Sequence, residues 1–408
     1  MNLIMVGKFR LSHSNNIDPD KGNFSMTISF SEAELAGRRQ KTCDAMAREG
    51  MDGMLIFRQE TMFYLTGYDT FGFVFFQCLY LGADGTMTLL TRAPDLRQAQ
   101  ITSVIRDIRI WPDAPDANPS DNLRDIIEEH GCRGKRLGVE WESYGLTARN
   151  GRRLDAALDG FCTLLDASDL VSKIRVVKSP AEIDYVRRAA ELADDAWDAS
   201  VEIAAPGVDE GEILAALQGA IFKGGGDFPA NDVVIGSGRD ALLCRYHTGR
   251  RKIDPQDQLT LEWAGVYRLY HAAMMRTMCF GTPPQRQLDL YDAALEALEA
   301  VHESICPGNT YGDGFQAHAD AMDRRGLSSH RLKACGYSLG TTYAPNWMDW
   351  PMLYEGNPVA FEPGMVVFTH MIIFDSDAGL AMTLGETVLV TDQGNERLSS
   401  ASRDLVVK

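Results

Sequence analysis

The chain has 408 residues, 57 of them acidic and 40 basic, for a net charge of −17. That length exceeds what one compact core accommodates and predicts two domains. The acidic balance disfavours nucleic acid or an anionic membrane surface, which require basic patches, so neither is expected as a partner.

Residues 1–30, polar and rich in turn formers (SHSNNIDPDKGN), read as a loose arm. Their short apolar start lacks the long apolar run and small-residue cleavage site of a secretion signal. From Ser31, SEAELAGRRQKTCDAMAREG opens with a cap and places apolar residues at helical spacing up to Gly50. DGMLIF follows as a short buried strand. FGFVFFQCLYLGADGTMTLLT reads as two strands joined at GADG, KRLGVEW as another strand and LTARNGRRLDAAL as a helix. The pattern to residue 172 is an α/β domain, 31–172, and the second domain spans 173–408.

Ser179-Pro180 with Glu182 predicts a strong helix start: a cap, a proline in the first turn and an acid beside it. A long amphipathic helix follows, and PGVDEGEI marks a turn and a second helix. The strands expected beyond residue 230 are NDVVIGSG, QLTLEWAGVYRLYHAAMMRTMCFG, MVVFTHMIIF and ETVLVTDQG. Helices fall near 288–303 and 311–326. No run approaches the about 18 apolar residues of a membrane span. The eight cysteines stand singly without a C-x-x-C, as expected of buried reduced thiols in a cytoplasmic protein.

Six stretches occur in one order over the last 235 residues or so: RVVKSPAEIDYVRRA, VVIGSGRDALLCRYH, LEWAGVYRLYHAAMMRT, CGYSLG, FEPGMVVFTH and GETVLVTDQG. In this arrangement the chain resembles the creatinase/aminopeptidase P/methionine aminopeptidase family. The resemblance implies a pita-bread domain behind a creatinase-like α/β domain, a homodimer and a small-molecule substrate. The peptidase branch of that family binds two metal ions through two Asp, one His and two Glu. Matched by position, this chain has Glu262, Ala273, Tyr337, His370 and Gly385. A pair of close cations needs several carboxylates between them. The expectation is therefore no metal cofactor. AGVYRLYHAAMMRT and CGYSLGTTYAPNW further resemble the metal-free creatinase and ectoine hydrolase subgroup.

Metal-free cleavage of a C–N bond needs a base for water, an acid for the leaving nitrogen and a stabiliser of developing charge. Glu262, among apolar neighbours, suits the base. His247 lies near the spacing of the family's catalytic His and suits a proton shuttle. His271, nine residues past Glu262, reaches the same cavity if the two share a face of the hairpin. His370 in VVFTHMIIF needs a polar partner, for which Glu386 is the candidate. Tyr337, Tyr343, Trp347, Arg276 and Phe228 are expected on the substrate: Tyr337 as a hydroxyl donor, Tyr343 and Trp347 as aromatic walls for a cation. Arg276, which matches the family's hairpin arginine, would meet a substrate carboxylate or else brace the sheet, and Phe228 would come from a loop over the site at KGGGDFPAND. The expected function is hydrolysis of a small zwitterion, ectoine foremost. The rivals are a metal-dependent Xaa-Pro dipeptidase, a lyase and a non-catalytic binding module.

Overall fold

The computed structural model describes residues 28–245 and 250–408. Most of the expected arm, and His247, lie outside the described residues. The arm's last residues are packed rather than loose, because Phe30 is an aromatic with a place to go. Its ring lies 5.3 Å from that of Tyr185 and 5.9 Å from that of Tyr270.

The first domain carries β1 (Gly53–Ile56), β2 (Cys78–Gly82), β3 (Met87–Thr91), β4 (Asp107–Ile110), β5 (Arg136–Val139) and β6 (Thr163–Asp166). They form one mixed sheet in the order β4-β3-β2-β1-β5-β6. Its helices are α1 (Glu32–Arg48), α2 (Gln59–Thr66), α3 (Leu96–Thr102), α4 (Pro119–Glu129), α5 (Ala148–Leu158) and α6 (Leu170–Arg175). Ser31 caps α1 by accepting the Glu34 N–H. Every residue of β1 and β2 is buried, as in sheets covered on both faces. The strand expected from Phe71 begins only at Cys78. The Thr70 hydroxyl accepts the Gly72 N–H at 2.8 Å and Gly72–Val74 coils into a 3-10 turn.

The second domain opens with α7 (Pro180–Ile203), started by a complete Ser179/Glu182 capping box, and α8 (Glu210–Lys223). Its strands are β7 (Val234–Ser237), β8 (Asp257–Tyr267), β9 (Tyr270–Phe280), β10 (Ala334–Ser338), β11 (Asp349–Tyr354), β12 (Val366–Asp375), β13 (Leu380–Thr391), β14 (Gly394–Arg397) and β15 (Val406–Val407). The strand order is β11-β10-β12-β13-β9-β8-β7, with β14 on β13 and β15 on β9. Helices α9 (Gln285–Ser304) and α10 (Tyr311–Arg324) complete it.

Helices cover one face of this sheet. A Cβ at Gly265 would lie 2.0 Å from the Ala189 carbonyl of α7, so only glycine lets helix and strand approach. Trp263 points the same way and donates its indole N–H to Ala193 at 3.0 Å. The other face looks toward the first domain, whose Phe63 and Phe73 share a core with Ala264, Ala273, Tyr337 and Trp347. The β8–β9 turn places both Arg268 and Leu269 at positive φ, as a two-residue hairpin demands. Among the described residues no helix is long and apolar enough to cross a membrane.

Candidate active site

Strand register builds the site. Glu262 pairs with Met275, Met275 with Gly385, and Gly385 with His370. Residues directly opposite in a ladder share a face. One transverse row, Glu262–Met275–Gly385–His370, therefore crosses four strands on the helix-free face. Ala273 lies two residues from Met275 on that face, and Tyr337 joins it from β10 by pairing with Phe368.

Above the row is a cavity of about 170 Å³, lined among others by Glu262, Arg245, Tyr337, Trp347, Asn346 and His370. Glu262 is walled by protein with its carboxylate turned to the cavity. Burial pushes it up to about 7, against the opposing pull of the Arg245 charge and of the Tyr337 hydroxyl. That hydroxyl lies 3.4 Å from Glu262 Oε1 and accepts the Trp347 indole N–H at 2.8 Å. A carboxyl that titrates near neutrality can take up and release a proton at working pH.

His370 also faces the cavity. Burial holds it down to about 4, so its ring is neutral. Its Nδ1 has no hydrogen-bond partner among the described residues. A buried polar atom left in this state is costly unless a ligand meets it. The expected His370–Glu386 pair does not form, because the two side chains leave opposite faces of the sheet. Glu386 pairs in register with Thr369 on the helix side. There it receives Arg276 at 3.2 Å and Arg397 at 2.9 Å, and Arg403 closes the cluster. Burial alone would raise Glu386, but the Arg403 bond, the charges of Arg276 and Arg403 and neighbouring His302 outweigh it and hold the carboxyl below its ordinary value. Arg276 likewise points away from the cavity and donates to the Gly385 carbonyl at 2.6 Å, where it braces β9 against β13.

His271 does share the face of Glu262, but it pairs with Val266, four residues further along β8. It is fully buried, and burial lowers it to about 4. Its Nε2 accepts the Ala230 N–H at 3.0 Å, and Nδ1 lies 3.4 Å from the Thr342 hydroxyl. The ring thus fastens two loops, one carrying Asn231 and the other Asn346 and Trp347, to the hairpin. It does not line the cavity. Phe228 is 78% exposed and packs at a tilt against Phe222 rather than entering the cavity. Tyr343 is buried at the domain junction, its hydroxyl on Asp69, and does not line the cavity. Arg245 and Asn346 went unremarked in the sequence. Arg245 stands two residues before His247 in CRYH, in a turn beyond the 3-10 stretch Gly238–Leu242, so no strand periodicity points to it.

A dinuclear metal centre does not fit these residues. Two of the five matched positions are Ala273 and Gly385. A Cβ at Gly385 would lie 2.8 Å from the Thr369 carbonyl and 3.1 Å from His370 Cα, so that position has closed around glycine. Among the described residues no group of three or more His, Cys, Asp or Glu side chains is arranged to hold a metal ion.

Residues 38–177 match the model of the creatinase/prolidase N-terminal domain, and residues 184–392 match that of metallopeptidase family M24. The chain is 31% identical to an ectoine hydrolase of Halomonas elongata over 402 residues, covering 94% of this chain and 99% of that protein. It is 25% identical to an Xaa-Pro dipeptidase of Pyrococcus furiosus over 238 residues, 58% of this chain and 67% of the other. Among solved structures it is similar to an Xaa-Pro dipeptidase of Bacillus anthracis, with a TM-score of 0.80 at 22% identity over 92% of this chain and all of that one. A prolidase of Thermococcus sibiricus gives a TM-score of 0.83 at 20% identity, over 92% and 99% of the two chains. These likenesses establish the pita-bread fold anticipated from the six ordered motifs. The chain belongs to metallopeptidase family M24, as a hydrolase of C–N bonds with a creatinase/prolidase N-terminal domain.

Proposed function

We propose that this hydrolase opens a C–N bond of a small zwitterionic metabolite without a metal ion, with ectoine as the leading substrate. The observation that carries the reading is the face this row belongs to: it keeps Glu262 and His370 but has Ala273 and Gly385 where a metal pair needs carboxylates. The identity to an ectoine hydrolase over nearly the whole chain supports the choice of substrate. A cavity of about 170 Å³ suits a metabolite, since drug-sized ligands occupy roughly 300–1,000 Å³.

In this reading Glu262 takes a proton from water as the water oxygen bonds to the amidine carbon. The ring C–N bond then breaks as its nitrogen gains a proton. Arg245 and the Tyr337 hydroxyl hold the carboxylate ready, and the free Nδ1 of His370 meets a polar atom of the substrate. His247, two residues beyond Arg245, is the proposed proton donor. The division at 172–173, a cytoplasmic setting and homodimerisation belong to the same proposal. The test is hydrolysis by chelator-treated, metal-analysed protein, followed by NMR. Ectoine should be consumed at a rate that chelator does not change. Failure on ectoine, creatine and related amidines, with dipeptide cleavage restored by manganese or cobalt, overturns the reading in favour of an Xaa-Pro dipeptidase.

A further inference from the structure

The segment from Thr342 to Met348 is a wall with a cavity on either side. Asn346 and Met348, with Met352 of β11, line the Glu262 cavity and also a second cavity of about 580 Å³ between the two domains. Two carboxylates of the first domain hold this wall. Glu60 of α2 accepts the Tyr343 N–H at 3.0 Å, and Asp69 accepts the Tyr343 hydroxyl at 2.9 Å. The Tyr343 ring is gripped edge-on by Phe63 and Phe73, at 6.2 and 5.8 Å. Four residues on, Trp347 reaches the Tyr337 hydroxyl and through it Glu262. Neither Glu60 nor Asp69 lines the Glu262 cavity.

We propose that Glu60 and Asp69 are positioning residues. Through Tyr343 they fix the wall between the two cavities, and so set how large a ligand Glu262 can work on. The inference rests on the reading of the Glu262 cavity as the reacting site. A wall tied by two carboxylates and two aromatic edges keeps Asn346 and Met348 against a small ligand. An untied wall can lean into the interdomain cavity and admit a larger one.

The test uses the full chain. Tyr343→Phe removes the bond to Asp69 and keeps the ring between Phe63 and Phe73. Asp69→Ala removes it from the other side, and Asp69→Asn keeps an acceptor. Hydrogen exchange without substrate should quicken at least tenfold across residues 342–348 in Tyr343→Phe and Asp69→Ala. Asp69→Asn should stay near the wild type, and β12 and β13 should not change. With the substrate that the wild type turns over, the two untied variants should raise KM about tenfold and change kcat less than threefold. They should also lose discrimination against a ring homologue larger by one methylene. Unchanged exchange at 342–348 in both untied variants overturns the tether. Faster exchange with unaltered KM and discrimination overturns its role in selecting ligand size. If the wild type hydrolyses no zwitterion, the functional reading fails and the exchange result still judges the tether.

Discussion

Tyr337 joins Trp347 to Glu262, its oxygen 2.8 Å from the indole nitrogen on one side and 3.4 Å from the carboxylate on the other. At 3.4 Å the second contact is a weak bond, and a donor on a carboxylate favours the charged form. Its removal in Tyr337→Phe should move the Glu262 titration upward from about 7. The acidic limb of kcat/KM should shift to higher pH by a few tenths of a unit to about one, with a several-fold loss of rate at pH 7. A limb that stays in place would mean that the titrating base is another group.

Glu262→Gln removes the proposed base and should lower kcat by about 10²–10⁴-fold. Stability should move the other way. A carboxyl raised from 4.5 to about 7 on folding carries stability that is intact below 4.5 and is lost as pH climbs through 7. The glutamine variant should therefore match the wild type near pH 4 and exceed it at pH 8, by about 1–2 kcal/mol after allowing for the water that reaches the cavity. Denaturant midpoints at the two pH values measure this. A non-catalytic binding role predicts unaltered function in the same variant.

His271 tests the difference between a proton carrier and a fastener. Held down to about 4, it is neutral throughout the range where Glu262 titrates. His271→Ala should leave the limbs of the pH profile where they are and lower kcat/KM at every pH. It should also cost about 2–4 kcal/mol of stability, since the Ala230 N–H loses its acceptor and a cavity opens in the interior. A vanished limb would instead mark His271 as the group that carries the proton.

Gly385→Ala asks whether the metal position can be refilled. Its Cβ would press on the Thr369 carbonyl at 2.8 Å, so β12 or β13 must shift. The expected cost is about 1–3 kcal/mol, read as a lower midpoint of unfolding. Ala273→Asp alone should not bind cobalt stoichiometrically by elemental analysis, because one restored carboxylate still lacks its counterpart at 385.

Much of the scaffold could be read from local signals. Ser31, Ser179 and Glu182 announce helix starts through backbone chemistry that needs only neighbouring residues. The β8–β9 hairpin was legible as two apolar arms, although its turn uses Arg268 and Leu269 in place of the usual glycine or asparagine. Glu262, Tyr337 and His370 were nameable because each is a polar or aromatic group in an apolar strand or after a glycine, and Trp347 because it falls in an aromatic cluster. Their assembly was not legible, since the row depends on register across four strands that are up to 123 residues apart in sequence, from Glu262 to Gly385. Register also explains the misplaced partners. Nothing local in GETVLVT says that Glu386 faces His302 of α9 together with Arg397 and Arg403, and nothing in HAAMMRT says that Arg276 goes with it.

The neighbours Gly385 and Glu386 carry one more consequence. A strand sorts its side chains by odd and even position, so a slip of one residue would exchange the two. Glu386 would then enter the cavity and glycine would face the helices. An inventory of acids near the end of the chain would credit this protein with a carboxylate that its site never sees. In such a sheet the parity of a position, rather than the presence of a residue type nearby, separates a ligand for a metal from a strut under the floor. Any survey of relatives that sorts metal-dependent members from metal-free ones should count the steps from the His370 pairing before it counts carboxylates.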